Sequence, residues 1–277
     1  MKRNVFFFLL AGAALLTSCH SKIKERKDEL YSRHLQKHIS ITVITTPVPK
    51  NKSDFNLLLL NNGNDIENLH VKKVVDSLYR KDQIKPLIVV GIIPFNESSE
   101  YGVSGKIDEQ GNGASAEKYS QFIAGELIPF VKKKAAVRKF NSITIGGTDL
   151  SGLSALDVAW DNADKIDKVG VFSGAFSTEE KLTKKSDSTS ERRMIFNKIK
   201  SSRKRPHLQY WFYVAANNSS SNNSEPINET RELINLVKSK NVAADSDFTF
   251  VENKNGSNDF DSWSHVFPQF LLWAEGK

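Results

Sequence analysis

Residues 142–156, SITIGGTDLSGLSAL, constrain the fold of this chain more than any other stretch. Ser142–Ile145 reads as a strand, Gly146 and Gly147 follow at once, and an apolar helix rich in small residues is expected over 152–160. A strand that turns sharply through glycines into a helix forces one side chain out at the top of a sheet. Here that residue is Asp149.

The remainder of the chain repeats the alternation of strand and helix that builds a mostly parallel sheet with helices on both faces. Strands are expected at Ser40–Thr46, Asn56–Leu60, Leu87–Ile93, Val169–Phe172, Tyr210–Ala215 and Asp247–Glu252. The consecutive apolar residues of Leu87–Ile93 imply burial on both faces and a central place. Helical periods run through 69–80 and 115–134, the second starting at Ser115 as cap, and Trp263–Ala274 reads as a closing helix. The expectation is an α/β fold with one domain spanning 40–277. Glu179–Arg205 is charge-rich and reads as a surface helix or cap, and Asn217–Ser224 as a low-complexity loop.

The N-terminus reads as a processing signal. Lys2 and Arg3 precede an apolar or small-residue run from Val5 to Leu16, which is shorter than the roughly 20 residues needed to span a bilayer. Leu16-Thr17-Ser18-Cys19 follows and resembles the lipobox of bacterial lipoproteins, which implies a leader over 1–18 and lipid attachment at Cys19, the one cysteine of the chain. The charged stretch 19–39 is then expected to be a tether that lifts the domain off the membrane. The expected place is the cell envelope, at the periplasmic face of the outer membrane. The net charge of +7 falls by two when the leader is removed, and such an excess does not argue for nucleic acid, even with the basic cluster at 198–205.

GGTDLSGLSAL followed by VGVFSGAF (169–176) resembles the elbow and following strand of the esterase D and enterochelin-esterase group of α/β-hydrolases. LLLLNNGND (57–65), LIVVGI (87–92), SSEYG (98–102), YSQFIAGELIPFVKKK (119–134) and WSHVFPQFLLWA (263–274) are similar to further segments of that family, in the same order. The resemblance implies an α/β-hydrolase fold from about residue 40 onward, with oxyanion-type backbone donors near Gly63 and at Leu150.

It also implies a serine, a histidine and an acid where this chain carries Asp149, Asn258 and Ser219. Serine catalysis needs a hydroxyl, a base within hydrogen-bond reach and a group that orients the base. An asparagine cannot take up and return a proton near neutral pH. Aspartate does serve as nucleophile in α/β-hydrolases that cleave carbon-halogen bonds or epoxides, yet those enzymes need a histidine. None of His20, His34, His38, His70, His207 and His265 falls where the resemblance puts one. Thr148, Ser151 and Ser173 are alternative hydroxyls, with structural roles as the simpler explanation. Asp149 itself has one, since a carboxylate suits a helix N-terminus.

The expected function is therefore a catalytically inactive, esterase-like envelope lipoprotein that binds an unknown small molecule or protein, with no cofactor and no resident metal. The alternatives are an active carboxylic-ester hydrolase of the same family type, including one for sugar or siderophore esters, that uses Asp149 or another nucleophile, and a metal-assisted site built from Asp149, Asp259 and Asp261.

Overall fold

The apolar runs at 57–60 and 87–93 become the centre of one sheet. The structure, a computed structural model, describes residues 22–49, 55–181, 193–216, 225–254 and 256–277. Its strands are β1 Lys24–Ser32, β2 Lys37–Thr45, β3 Asn56–Leu60, β4 Leu87–Ile93, β5 Ile143–Thr148, β6 Lys168–Phe172, β7 Gln209–Ala215 and β8 Phe248–Asn253. Among the described residues these form one eight-stranded sheet in the order β1-β2-β4-β3-β5-β6-β7-β8. From β4 to β8 all neighbours are parallel, while β2 lies antiparallel to β4 and β1 antiparallel to β2.

Parallel neighbours require crossovers, and the helices supply them. They are α1 Val71–Arg80, α2 Glu97–Glu100, α3 Ala116–Phe122, α4 Ile128–Lys134, α5 Asp149–Asp161, α6 Met194–Ser201, α7 Glu225–Ser239 and α8 Phe260–Glu275. Val71, Val75 and Leu78 of α1 and Phe267, Phe270 and Leu271 of α8 pack on one face of the sheet with Ile44, Leu58 and Trp211. Tyr119, Leu153, Leu156, Phe196 and Leu233, from α3, α5, α6 and α7, fill the other face against Leu57, Val90 and Tyr210. All six residues of β5 are buried, so the corner that follows it rests on the middle of the core.

The tether expected over 19–39 is corrected by the structure, which places β1 and the start of β2 inside that range. Charge misled the reading, because β1 is the edge strand. Most of KERKDELYS faces solvent, and only Leu30 and Ser32 turn inward. Charged side chains on an edge also discourage pairing with other chains, which gives this composition a structural purpose. The fold thus starts ahead of residue 40. The expected leader over 1–18, Cys19 and the expected loop at 217–224 lie outside the described residues.

Two local expectations also change. Ser115 stands at the start of α3 but makes no capping bond, and its hydroxyl instead accepts from Ser99 Oγ at 2.9 Å. The single helix expected over 115–134 is divided by a π-type turn at Ile123–Leu127.

Candidate functional site

The corner between β5 and α5 has the elbow geometry that its glycines require. A Cβ added to Gly147 would lie 2.5 Å from the Ser151 carbonyl oxygen, and one on Gly152 would lie 2.9 Å from that of Gly147. Only hydrogen at these positions lets the first turn of α5 sit against the strand it leaves. Ser151 closes the turn: its hydroxyl accepts from Thr148 N–H at 3.0 Å and donates to Thr148 C=O at 2.7 Å. Asn61 joins this turn to the end of β3, its Nδ2 donating to Ser151 C=O at 2.9 Å while its Oδ1 accepts from Tyr119 Oη at 2.8 Å. Ser151 is therefore a structural hydroxyl with both of its roles taken.

Asp149 occupies the apex with φ of 47°, in the left-handed region that favours glycine. A non-glycine side chain held there costs on the order of 1 kcal/mol or more, and the bonds on either side of the corner hold it. The side chain reaches the surface at the C-terminal end of the sheet. Its carboxyl is nevertheless pushed above the usual aspartate range, chiefly by desolvation against the elbow, and the Leu150 N–H pulls it back. That N–H is the donor that the family resemblance assigns to an oxyanion. Here it acts on the chain's own carboxylate.

Among the described residues no histidine is hydrogen-bonded or ion-paired to Asp149. His38 pairs with Glu29, and His265 places Nδ1 2.6 Å from the Asp261 carbonyl oxygen on the exposed side of α8. His207 precedes β7, at the opposite end of the sheet from the elbow.

Asn258, at the position implied for the base, is committed to the end of β7. Its Oδ1 accepts from Ala215 N–H and its Nδ2 donates to Ala215 C=O, both at 3.0 Å. The carboxamide so satisfies both backbone groups of the last residue of β7. Oδ1 also accepts from Ser173 Oγ at 2.5 Å, and Trp263 Nε1 donates to the same hydroxyl at 3.1 Å. Ser173 has φ of 51°, and two residues later Ala175 N–H donates to the Asp149 carbonyl oxygen at 3.2 Å. The FSGAF segment thus bridges elbow and Asn258 by structural bonds, with Ser173 tied into the asparagine. Ser219, implied for the acid, falls outside the described residues.

Gly63 opens a short 3₁₀ turn, Gly63–Ile66, behind Asn62, which itself has φ of 58°. A Cβ on Gly63 would meet the Gly91 carbonyl carbon at 2.6 Å, so this loop is pressed against β4. Asn62 N–H donates to Tyr101 Oη at 2.7 Å. Sequence reading missed Asp65 in this turn, because an Asn- and Asp-rich segment looks solvated. Asp65 is buried, and burial raises its carboxyl to about 6, with the nearby Glu97 adding to the rise. Asp65, Glu97 and Asp149 all follow strands at the C-terminal end of the sheet, where each of them opposes an incoming anion. A fixed charge costs an incoming like charge about 1 kcal/mol in a wet site and several in a dry one.

Asp259 is the N-cap of α8, accepting from Ser262 N–H at 2.9 Å and from the Ser257 hydroxyl, and these bonds hold its carboxyl below the usual range. Among the described residues no group of three or more His, Cys, Asp or Glu side chains is placed to hold a metal ion. A 560 Å³ cavity lined by Ile23, Ile66, His70 and Val71 lies between the start of β1 and α1, away from the elbow.

Residues 32–274 match the family model described as "Putative esterase". Among solved structures, a ferulic acid esterase is similar over 92% of this chain and 98% of its own, at 18% identity and a TM-score of 0.69. The enterochelin esterase from Shigella flexneri is similar over 90% of this chain, at 16% identity and a TM-score of 0.70; the match spans 57% of that longer protein. The BES protein from Bacillus cereus matches over 100% of both chains, at 15% identity and a TM-score of 0.65. The comparison with curated proteins found no match. At these identities the solved structures establish the α/β-hydrolase fold, and the match over 32–274 establishes that the chain belongs to this esterase family.

Proposed function

We propose that this member of the family is an envelope lipoprotein that no longer cleaves esters and uses its domain to bind a ligand or partner. The observation that carries the reading is the state of Asn258. An amide at the base position is bonded on both sides to Ala215 and holds the Ser173 hydroxyl, so it has neither the chemistry nor the freedom to move a proton. The elbow supports the same reading, because Asp149 carries a carboxylate where acyl transfer needs a neutral hydroxyl and an anion-accepting N–H.

Cys19 is the residue that would carry the lipid, and the outer membrane, at its periplasmic face, is the proposed location. The ligand is a small molecule or a protein segment without concentrated negative charge, as the carboxylates of Asp65, Glu97 and Asp149 require.

The test is reaction with a fluorophosphonate, followed by intact mass. A chain that stays unmodified over hours, beside an active family esterase modified in minutes, supports the proposal. A covalent adduct on Thr148, Ser151 or Ser173 would refute it.

A further inference from the structure

The two ends of the parallel sheet differ in charge. Asp65, Glu97 and Asp149 stand at the end where the strands finish. At the opposite end, the segments that lead into the strands carry cations. Lys81 precedes β4, Arg138 and Lys139 precede β5, and Arg203 precedes β7. Lys22 and Lys24 belong to the same end, because β2 is antiparallel to both β1 and β4, so β1 runs in the direction of β4. In that register Lys24 pairs with Thr45, which pairs in turn with Ile88 near the start of β4.

All six side chains are exposed, and none has a hydrogen-bond or ion-pair partner among the described residues. Complementing helix dipoles explains basic residues in the last turn of a helix, such as Lys132, Lys133 and Lys134 of α4. It does not explain Lys22, Lys24, Arg138, Lys139 or Arg203, which lie in loops or in a strand.

We infer that this end of the sheet is a contact surface for an anionic lipid bilayer, which turns the Asp149 elbow at the other end away from the membrane. The inference rests on reading Cys19 as the lipid-bearing residue. Lys22 follows Cys19 by three residues, about 10 Å of extended chain at most, so the anchor would emerge beside these cations. Basic residues next to an anchor are drawn to anionic headgroups within a Debye length of the surface. Strands of this length put the elbow about 20 Å from that surface, on the side that faces away from the bilayer.

Every described element lies within residues 22–277, so the chain from residue 20, made without leader or lipid, keeps the whole described fold. This form is sedimented with vesicles of phosphatidylcholine containing 30% phosphatidylglycerol, and with phosphatidylcholine alone, in 0.1 M salt. Binding to the anionic vesicles alone is expected, with loss at 0.5 M salt. The combined variant Lys81→Glu, Arg138→Glu, Lys139→Glu, Arg203→Glu is expected to bind at least tenfold more weakly with an unchanged Tm. Lys181→Glu with Lys254→Glu, in the segments that follow β6 and β8, is expected to bind as wild type.

Equal binding to both vesicles, an equal loss in the Lys181→Glu, Lys254→Glu variant, or binding of a 20-nucleotide single strand in place of vesicles would each overturn the surface. The mass of the full chain purified from membranes reads the anchor separately: a mature chain without acyl groups on Cys19 contradicts the lipoprotein reading whatever the vesicles show.

Discussion

The Asn258 carboxamide pairs with both backbone groups of Ala215, accepting from its N–H and donating to its C=O at 3.0 Å each. It thereby takes the place of the next residue on a neighbouring strand and closes the end of β7. The same amide oxygen receives the Ser173 hydroxyl, which in turn receives the Trp263 indole N–H. The position at which the family resemblance implies an imidazole is a structural joint in this chain.

Asn258→His should therefore be destabilising without being activating. An imidazole cannot donate to and accept from one residue's backbone as an amide does, so at least one partner is left unsatisfied, at about 1–3 kcal/mol. For a domain of this size that corresponds to a fall in Tm of roughly 2–4 °C per kcal/mol. Circular dichroism melting checks the stability, and an aryl-ester assay of the same sample checks that no turnover appears.

Asp149 pays for its place at the elbow with a φ of 47°. Asp149→Gly should be neutral or stabilising by up to about 1 kcal/mol, because glycine adopts this conformation freely. Asp149→Val should be destabilising by about 1–3 kcal/mol, since a β-branched side chain at positive φ is strained. Urea unfolding of the three proteins orders them, and a valine variant as stable as the glycine variant would show that the corner is not held in this conformation.

Gly147→Ala places a methyl group 2.5 Å from the Ser151 carbonyl oxygen, a backbone atom of the first turn of α5. The turn must shift, and the expected loss is roughly 1–3 kcal/mol. Chemical denaturation measures it, and a neutral alanine would contradict the close approach of strand and helix.

Glu275 sits at the far end of the sheet, wholly buried, with its carboxylate accepting from Asn56 Nδ2 at 2.7 Å and Thr144 Oγ1 at 3.0 Å. Burial raises its carboxyl from 4.5 to about 7. A raised acid holds its proton more firmly folded than unfolded, so its contribution to stability is fully present below about 4.5 and is lost as the pH rises through about 7. The difference is on the order of 3 kcal/mol. Glu275→Gln keeps the shape and removes the charge, so it should match wild type near pH 4.5 and exceed it in stability at pH 8. Urea midpoints at the two pH values check this, and a glutamine variant weaker than wild type at pH 8 would contradict it.

How much of this was legible in the sequence depends on whether the signal was local. β3 and β4 could be read because Leu57–Leu60 and Leu87–Ile93 are buried on both faces and so are apolar without a break. β1 could not, because an edge strand satisfies half its backbone and exposes most of its side chains, leaving only Leu30 and Ser32 to mark the inner face. The elbow was legible through its glycines, and the expectation of a serine where this chain has Asp149 rests on the resemblance alone. The use of Asn258 was not legible, since its partner Ala215 lies 43 positions away and the bonds go to backbone. Asp65 lies in an Asn- and Asp-rich run whose composition gives no sign of burial, and the packing of Gly63 against β4 carries it inward.

The central claim is that the elbow lacks esterase chemistry, and the rate of short-chain aryl-ester hydrolysis by wild type beside Asp149→Ala tests it most directly. The expected result is that both proteins, at equal concentration near pH 7.5, match the buffer rate. Wild-type turnover above buffer that disappears in Asp149→Ala would contradict the claim and make Asp149 the nucleophile of a working hydrolase.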